Sequence, residues 1–441
     1  MQPITYLAPA LLLSSVTLAN ATPVELTDKL TASDGAAGDF FGYSVALSGS
    51  TAIVGAYGDG GGSGSAYLFD TTTTGAQTQK LLAGDGAASD FFGYSVAISG
   101  STAIVGAPRA VNNSSTTGSA YIFDFSDSQN VTQTKLIASG GEAGDFFGQS
   151  VAISGSTAIV GAPLDANNDS SGSSTVSGSA YLFNASTGVQ THKLTDLTGA
   201  GGDRFGQSVA ISGNLALVGA YGDDAPTGNS GSAYLFNAST GEQIAKLTAS
   251  DGAAGDEFGR SVAISGTTAI VGAWLDNDNS LFDSGAAYLF DLSDLDPSVV
   301  SLTETAKLLA SDGAGGDYFG YSVAISGSTA IVGAYGDDDN GTTSGSAYFY
   351  DITDIENPVE KTKLIADDGA VGDRFGWSVG ISGSTAIVGA YLNDDPNDSG
   401  SAYLYDASAP APVPLPASLW LLGAAVGGAA GLRRVAQRRR T

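Results

Sequence analysis

The chain has 441 residues, with 45 Asp and Glu against 17 Lys and Arg, one His and no Cys, giving a formal net charge of −28. A polyanion of this kind is repelled by nucleic acid and by anionic lipid surfaces, which disfavours both as partners; the lack of Cys removes disulfide staples, thiol catalysis and thiolate metal sites. Its 62 Gly stand among 42% hydrophobic residues, enough apolar material for a core and unlike a disordered composition.

Residues 1–21 read as a secretory signal peptide. An apolar stretch over residues 6–19 leads to Ala19-Asn20-Ala21, a small-x-small cleavage site ahead of Thr22, although no Lys or Arg supplies a positive start.

From there to residue 406 one unit recurs seven times. Each copy has a Phe-Gly step, at Phe41, Phe92, Phe147, Phe205, Phe258, Phe319 and Phe375, then a Gly-Ala step at Gly55, Gly106, Gly161, Gly219, Gly272, Gly333 and Gly389. A spacing of roughly 50 to 60 residues suits a propeller blade or a solenoid unit. In the sixth copy, runs of β-branched, aromatic and small residues over 321–326, 329–335, 346–351 and from Lys363 onward predict four strands, without helical periodicity. Ser-Gly-Ser or a relative of it joins the first two as a tight hairpin. A Lys-Leu segment precedes every Phe-Gly step, at Lys29, Lys80, Lys135, Lys193, Lys246, Lys307 and Lys363, yet none follows the last third strand. That offset favours a ring over an open array, because residues 24–32 then complete the seventh sheet as its outer strand and leave no open edge at the closure. The expected fold is all-β: a seven-bladed β-propeller over residues 22–406, four antiparallel strands per blade, closed by the N-terminal strand.

The copies resemble FG-GAP repeats, the blades of the N-terminal propeller of integrin α subunits and of many bacterial surface proteins. The resemblance implies an extracellular binding or adhesion platform and names no ligand. In that family a calcium loop lies between the first two strands. Here only Ser-Gly-Ser, Ser-Gly-Asn or Ser-Gly-Thr occupies that place, so the family's metal site is missing from its usual position.

Beyond the repeats, a Pro/Ala linker over residues 407–416 runs into the motif Val413-Pro414-Leu415-Pro416-Ala417, an apolar segment over 417–432 and an Arg-rich tail over 433–441. The apolar segment is shorter than the roughly twenty residues that span a bilayer, and snorkelling arginines would extend it while holding that end in the cytoplasm. The arrangement resembles the PEP-CTERM class of bacterial sorting tails in its Val-Pro-Leu-Pro-Ala variant. That resemblance implies an exosortase-type membrane protease as partner, which removes the tail as the protein moves outward. Leu415 stands where the main family has Glu; a plain, unprocessed membrane anchor is the alternative. The expected location is exported: held in the membrane by the C-terminal segment before processing, then at the cell surface or in the extracellular matrix of a Gram-negative-type bacterium.

All 45 acidic residues lie between the two end segments with only 12 of the basic ones, so the body carries about −33 and suits cations or basic polymers. In an antiparallel blade the loops after the second and fourth strands share a face, and roughly thirty of the acids fall there. Clustered Asp oxygens suit Ca2+, with Asp276, Asp278, Asp337, Asp338, Asp339, Asp394, Asp395 and Asp398 as candidate ligands. Their spacing matches no EF-hand, and a solvated acidic face is the alternative. The Asp ahead of each Phe-Gly step (Asp39, Asp90, Asp145, Asp203, Asp256, Asp317, Asp373) recurs in every copy, which favours a turn-forming role.

Positions that differ between copies are better candidates for ligand binding. After Phe-Gly come Tyr43, Tyr94, Gln149, Gln207, Arg260, Tyr321 and Trp377; after Gly-Ala come Tyr57, Pro108, Pro163, Tyr221, Trp274, Tyr335 and Tyr391. Such aromatics stack on sugars or receive a basic side chain, and inter-blade packing explains them equally well. His192 sits alone in an outer-strand segment, and no Ser or Asp has the spacing of a nucleophile elbow or relay. The expected function is a non-enzymatic, exported binding or adhesion protein whose ligand is an unknown extracellular protein or polysaccharide. The alternatives are a calcium-binding structural matrix protein and, further off, an extracellular polysaccharide hydrolase acting through a carboxylate pair.

Overall fold

A computed structural model describes residues 24–407, apart from 73–74, 169–173, 197–198, 225–226, 278–280, 294, 296–300 and 394–398. The predicted signal peptide, sorting motif, transmembrane segment and Arg-rich tail lie outside these residues, as do Asp278, Asp394, Asp395 and Asp398. Among the described residues no helix is long and apolar enough to cross a membrane.

The run Thr-Ala-Ile-Val-Gly-Ala sets the architecture. It forms the second strand of six of the seven sheets, with Leu-Ala-Leu-Val-Gly-Ala in the other, and its Ala, Ile and Val side chains are fully buried. A strand covered on both faces reads as continuously apolar, so each sheet must be stacked between two others. In the first blade Ser44–Ser48, Thr51–Ala56, Ser65–Asp70 and Ala76–Leu81 lie side by side in that order, all antiparallel. The seventh blade takes Ser378–Ser382, Thr385–Ala390 and Ser401–Asp406, and its outermost strand is Glu25–Leu30, with Leu30 opposite Ala402 and Glu25 opposite Asp406. The seven-bladed propeller is closed by its N-terminal strand, as the offset of the Lys-Leu segments predicts.

The outer strands differ most from expectation. In the sixth copy the outer strand is Val359–Leu364 rather than a segment beginning at Lys363. Its start lies on an outer edge, where exposed Val359 is followed by Glu360 and Lys361, so it lacks the continuous apolar signal that marks the inner strands. In the fifth blade the outer strand shrinks to Ala306–Leu308, while Ser301–Thr303 pairs in parallel with the fourth blade's Gln243–Thr248.

Each blade junction has its own apolar cluster, and at the seam it gathers Leu30, Phe41, Val45, Val54, Tyr67, Ile387 and Leu404. The Phe of each Phe-Gly step stands edge-on to the third strand of its blade: Phe41 lies 5.6 Å from Tyr67 and 5.7 Å from Phe69 between ring centroids. Such pairs add about 0.5–1.5 kcal/mol beyond area burial. The two glycines of the motif meet across the junction. A Cβ on Gly55 would stand 2.0 Å from the carbonyl oxygen of Gly93 in the next blade, and at the seam a Cβ on Gly389 would stand equally close to Gly42.

On the far face the Ser-Gly turns form a closed chain of hydrogen bonds. The N–H of Gly100 donates to Ser48 Oγ at 2.9 Å, and the pattern repeats from blade to blade until Gly49 N–H donates to Ser382 Oγ at 3.0 Å across the seam.

A candidate binding site at one mouth of the channel

The acid-rich loops are anchored blade by blade. A Tyr of the third strand points its hydroxyl at Asp side chains of both loops on this face in blades one, four, five and six and of one loop in the others, and the Lys of the Lys-Leu segment joins them from the outer strand. In the sixth blade Tyr348 Oη donates to Asp312 and Asp337, both at 3.0 Å, while Lys363 Nζ reaches Asp312 at 2.8 Å, Asp337 at 2.7 Å and Asp339 at 2.6 Å. In the fifth, Tyr288 and Lys307 hold Asp251 and Asp276 in the same way. At the seam Lys29 bonds Asp368 at 2.5 Å and Tyr403 donates to the same carboxylate at 2.8 Å. Burial pushes Asp312 up, but the bonds from Lys363 and Tyr348 outweigh it and hold that carboxyl below its ordinary value.

These ammonium groups bear on the calcium candidates. Asp276, Asp337 and Asp339 are each bonded to a lysine, and Asp338 accepts from the backbone N–H of Thr343 at 2.7 Å. Among the described residues no three acidic or histidine side chains converge as a metal cage would require.

The Asp before each Phe-Gly step closes a turn. Its carboxylate accepts the N–H three residues earlier, as Asp39 does from Ala36 at 2.7 Å and Asp317 from Ala314 at 2.7 Å, and all seven copies repeat the bond. Burial lifts Asp203 and Asp317 to about 6.

That turn exposes a set of residues that pattern reading missed. The residue between this Asp and the Phe, namely Phe40, Phe91, Phe146, Arg204, Glu257, Tyr318 or Arg374, adopts a left-handed backbone with φ of 55–61° in every copy. For an L-residue this conformation costs roughly 1–2 kcal/mol, and it aims the side chain at the channel mouth. The signal available in the sequence was variation, since these positions change from copy to copy between an invariant Asp and an invariant Phe.

The structure brings this set together with both predicted ones. The inner strands of all seven blades line one axial cavity of about 230 Å³. At its mouth Tyr43 packs against Tyr94 at 4.9 Å and Trp377 at 5.6 Å, and Trp377 against Tyr321 at 4.5 Å. Arg260 lies over Tyr321 at 4.7 Å and donates to its hydroxyl at 2.9 Å. Around this plug the left-handed residues and the residues after Gly-Ala alternate as a belt across the junctions. Phe40 stacks on Tyr57 at 5.1 Å and meets Tyr391 at 5.9 Å; Tyr318 sits between Trp274 and Tyr335, 5.1 Å from each. Arg374 donates to Tyr391 Oη at 2.5 Å, and Glu257 accepts from Trp274 Nε1 at 2.7 Å. Inter-blade packing therefore uses many of the predicted aromatics.

The belt is not uniform. In the second and third blades Pro108 and Pro163 replace the aromatic residue after Gly-Ala, and the space they leave is a cleft of about 240 Å³. Phe91, Tyr94, Phe146 and Tyr221 supply its apolar walls, Gln149 and Gln207 its amides, and Arg109 and Arg204 its charges. Gln149 Nε2 donates to Tyr94 Oη at 3.1 Å, and Arg109 lies 4.7 Å over Phe91. With Arg260 and Arg374, every arginine of the propeller body stands at this mouth. The face is thus acidic at its periphery, where lysines hold the carboxylates, and arginine-bearing at its axis.

The family model for the FG-GAP repeat matches the chain in seven segments, residues 25–69, 76–123, 131–183, 189–236, 242–290, 302–350 and 358–405. Each segment begins near an outer strand and ends on the third strand of the following blade, so the repeating unit is offset by one strand from the structural blade, as ring closure requires. No curated protein matches the chain.

Proposed function

The chain belongs to the FG-GAP repeat family, and from that premise we propose that it is a non-enzymatic binding platform, exported and displayed at the cell surface or in the extracellular matrix, which holds an extracellular polysaccharide or protein at the channel mouth. A β-propeller of this family is compatible with adhesion and binding. One observation carries the reading: residues invariant between copies are consumed by turns, junction glycines and Lys–Tyr–Asp anchors, whereas three sets of varying positions converge on a single mouth. A scaffold that gathers three sets of varying positions at one mouth is adapted to a ligand there. The lone His192 lies on an outer strand, away from the mouth, which supports binding rather than catalysis.

Immobilised full-length chain screened against arrays of glycans and extracellular proteins tests the reading. Binding should appear and should fall at least tenfold in Tyr221→Ala and Phe146→Ala, both half-buried at the cleft. A ligand retained at full affinity by both variants would place binding elsewhere. For display, the proposal follows the exosortase-type sorting implied by Val413-Pro414-Leu415-Pro416-Ala417. Intact mass of the protein recovered outside the cell should lack the Arg-rich tail, and its retention would refute processing.

A further inference from the structure

We propose that the cleft over blades two to four takes a carboxylated sugar residue of an acidic polysaccharide. This specifies the ligand of the binding reading above and rests on it. Three observations carry the inference. First, although the body has 45 acidic residues, none lines this cleft, while two of its four arginines do. Arg109 arrives from blade two and Arg204 from blade four, with blade three between them, and neither makes an ion pair with a described residue. A guanidinium presents paired N–H donors that match a carboxylate in two-point contact.

Second, the remaining lining suits a sugar ring. Phe146, Tyr94 and Tyr221 offer aromatic faces for the apolar C–H face of a pyranose, and the Gln149 and Gln207 amides offer both donors and acceptors for hydroxyls. An acidic peptide needs the arginines but not this combination of amide and ring faces. Third, the volume of about 240 Å³ is below the roughly 300–1,000 Å³ of sites for drug-sized ligands, which suits one sugar residue. The surrounding acidic periphery repels a long anionic chain lying flat across the disc, so the site takes a chain end or a short exposed stretch.

The test titrates full-length protein by calorimetry with short oligouronates, galacturonate and mannuronate, with the matched neutral hexose oligomers, and with an oligoglutamate peptide. At least one oligouronate should bind at least tenfold more tightly than its neutral counterpart and than the peptide. Arg109→Gln, at an exposed position, and Arg204→Gln should each weaken that binding about tenfold, while unfolding midpoints stay unchanged. Absence of oligouronate binding, equal binding of the neutral oligomers, preference for the peptide, or unaltered affinity in both arginine variants overturns the inference. If the arrays return a neutral ligand lost on Tyr221→Ala, the binding platform stands and the carboxylate assignment falls.

Discussion

Leu30→Ala measures whether the ring is sealed. Leu30 is 1% exposed at the end of the N-terminal strand, opposite Ala402, in the apolar cluster with Phe41 and Leu404. Leu81 is 2% exposed at the same position in the first blade, opposite Ala66, in the middle of the chain. A strand that merely leans on its neighbour near a chain end opens locally at almost no free-energy cost, so truncating its side chain is nearly silent. A strand that seals a ring must come apart with the whole. Both substitutions remove a fully buried isobutyl group, and each should cost about 3 kcal/mol, within the roughly 2–5 kcal/mol range for buried Leu→Ala. Urea unfolding followed by far-UV circular dichroism reads both, with the midpoint lowered and the slope unchanged. The amides of Ser401–Asp406 should exchange as slowly as those of Ser65–Asp70 in the parent. A cost below about 0.5 kcal/mol for Leu30→Ala, beside a full cost for Leu81→Ala, would refute closure.

Two further outcomes follow from the packing and the charges. Because burial lifts Asp203 and Asp317 to about 6, the folded chain keeps protons that the unfolded chain has released, so their contribution to stability grows as pH falls from about 7 toward 4. Asp34, held below its ordinary value by Lys80, and Asp368, where Lys29 and Tyr403 outweigh burial, act oppositely: their stabilisation is present above about pH 4 and is lost as pH falls further. The melting temperature should therefore peak at about pH 4–5 rather than near neutrality, and Asp203→Asn, which keeps an acceptor for the Ala200 N–H, should flatten the rise between pH 7 and 5; an unchanged slope would contradict the assignment. Gly55→Ala sets a methyl against the Gly93 carbonyl and should cost at least about 3 kcal/mol. Gly228→Ala, with only Asp224 Oδ1 at 3.8 Å, should stay within about 0.5 kcal/mol in the same urea assay. Equal costs would mean that the junction yields to a side chain.

The scaffold was legible because its constraints repeat. Seven Phe-Gly and Gly-Ala steps and the displaced Lys-Leu segments are enough to deduce blades and closure, and the recurrence of the seven Asp points to the turns that they close. The outer strands were less legible: Glu360 and Lys361 lie on an edge that needs no apolar pattern. The mouth was half legible. Tyr43, Trp274 and the other predicted aromatics do converge, but Phe91, Phe146 and Arg204 escaped notice, since nothing in a Phe or an Arg announces a left-handed backbone. In the sequence the lysines mark only the register of the outer strands, whereas in the fold the same side chains hold the acidic loops. That arginines separated by many residues would meet on one axis follows only from the ring.

The uniformity of the junctions has a consequence for how such a chain is rearranged. Gly389 meets Gly42 across the seam as Gly55 meets Gly93, and the Ser382-to-Gly49 hydrogen bond repeats the six others. In these contacts no junction differs from the others, so they give the ring no intrinsic first blade. A gene that joined residue 407 to residue 24 and opened at another blade boundary would encode the same disc with its ends transferred there. The chain ends are thus a movable handle, and a fused partner can be carried to the blades that lie away from the cleft, whose boundary loops hold none of its lining residues.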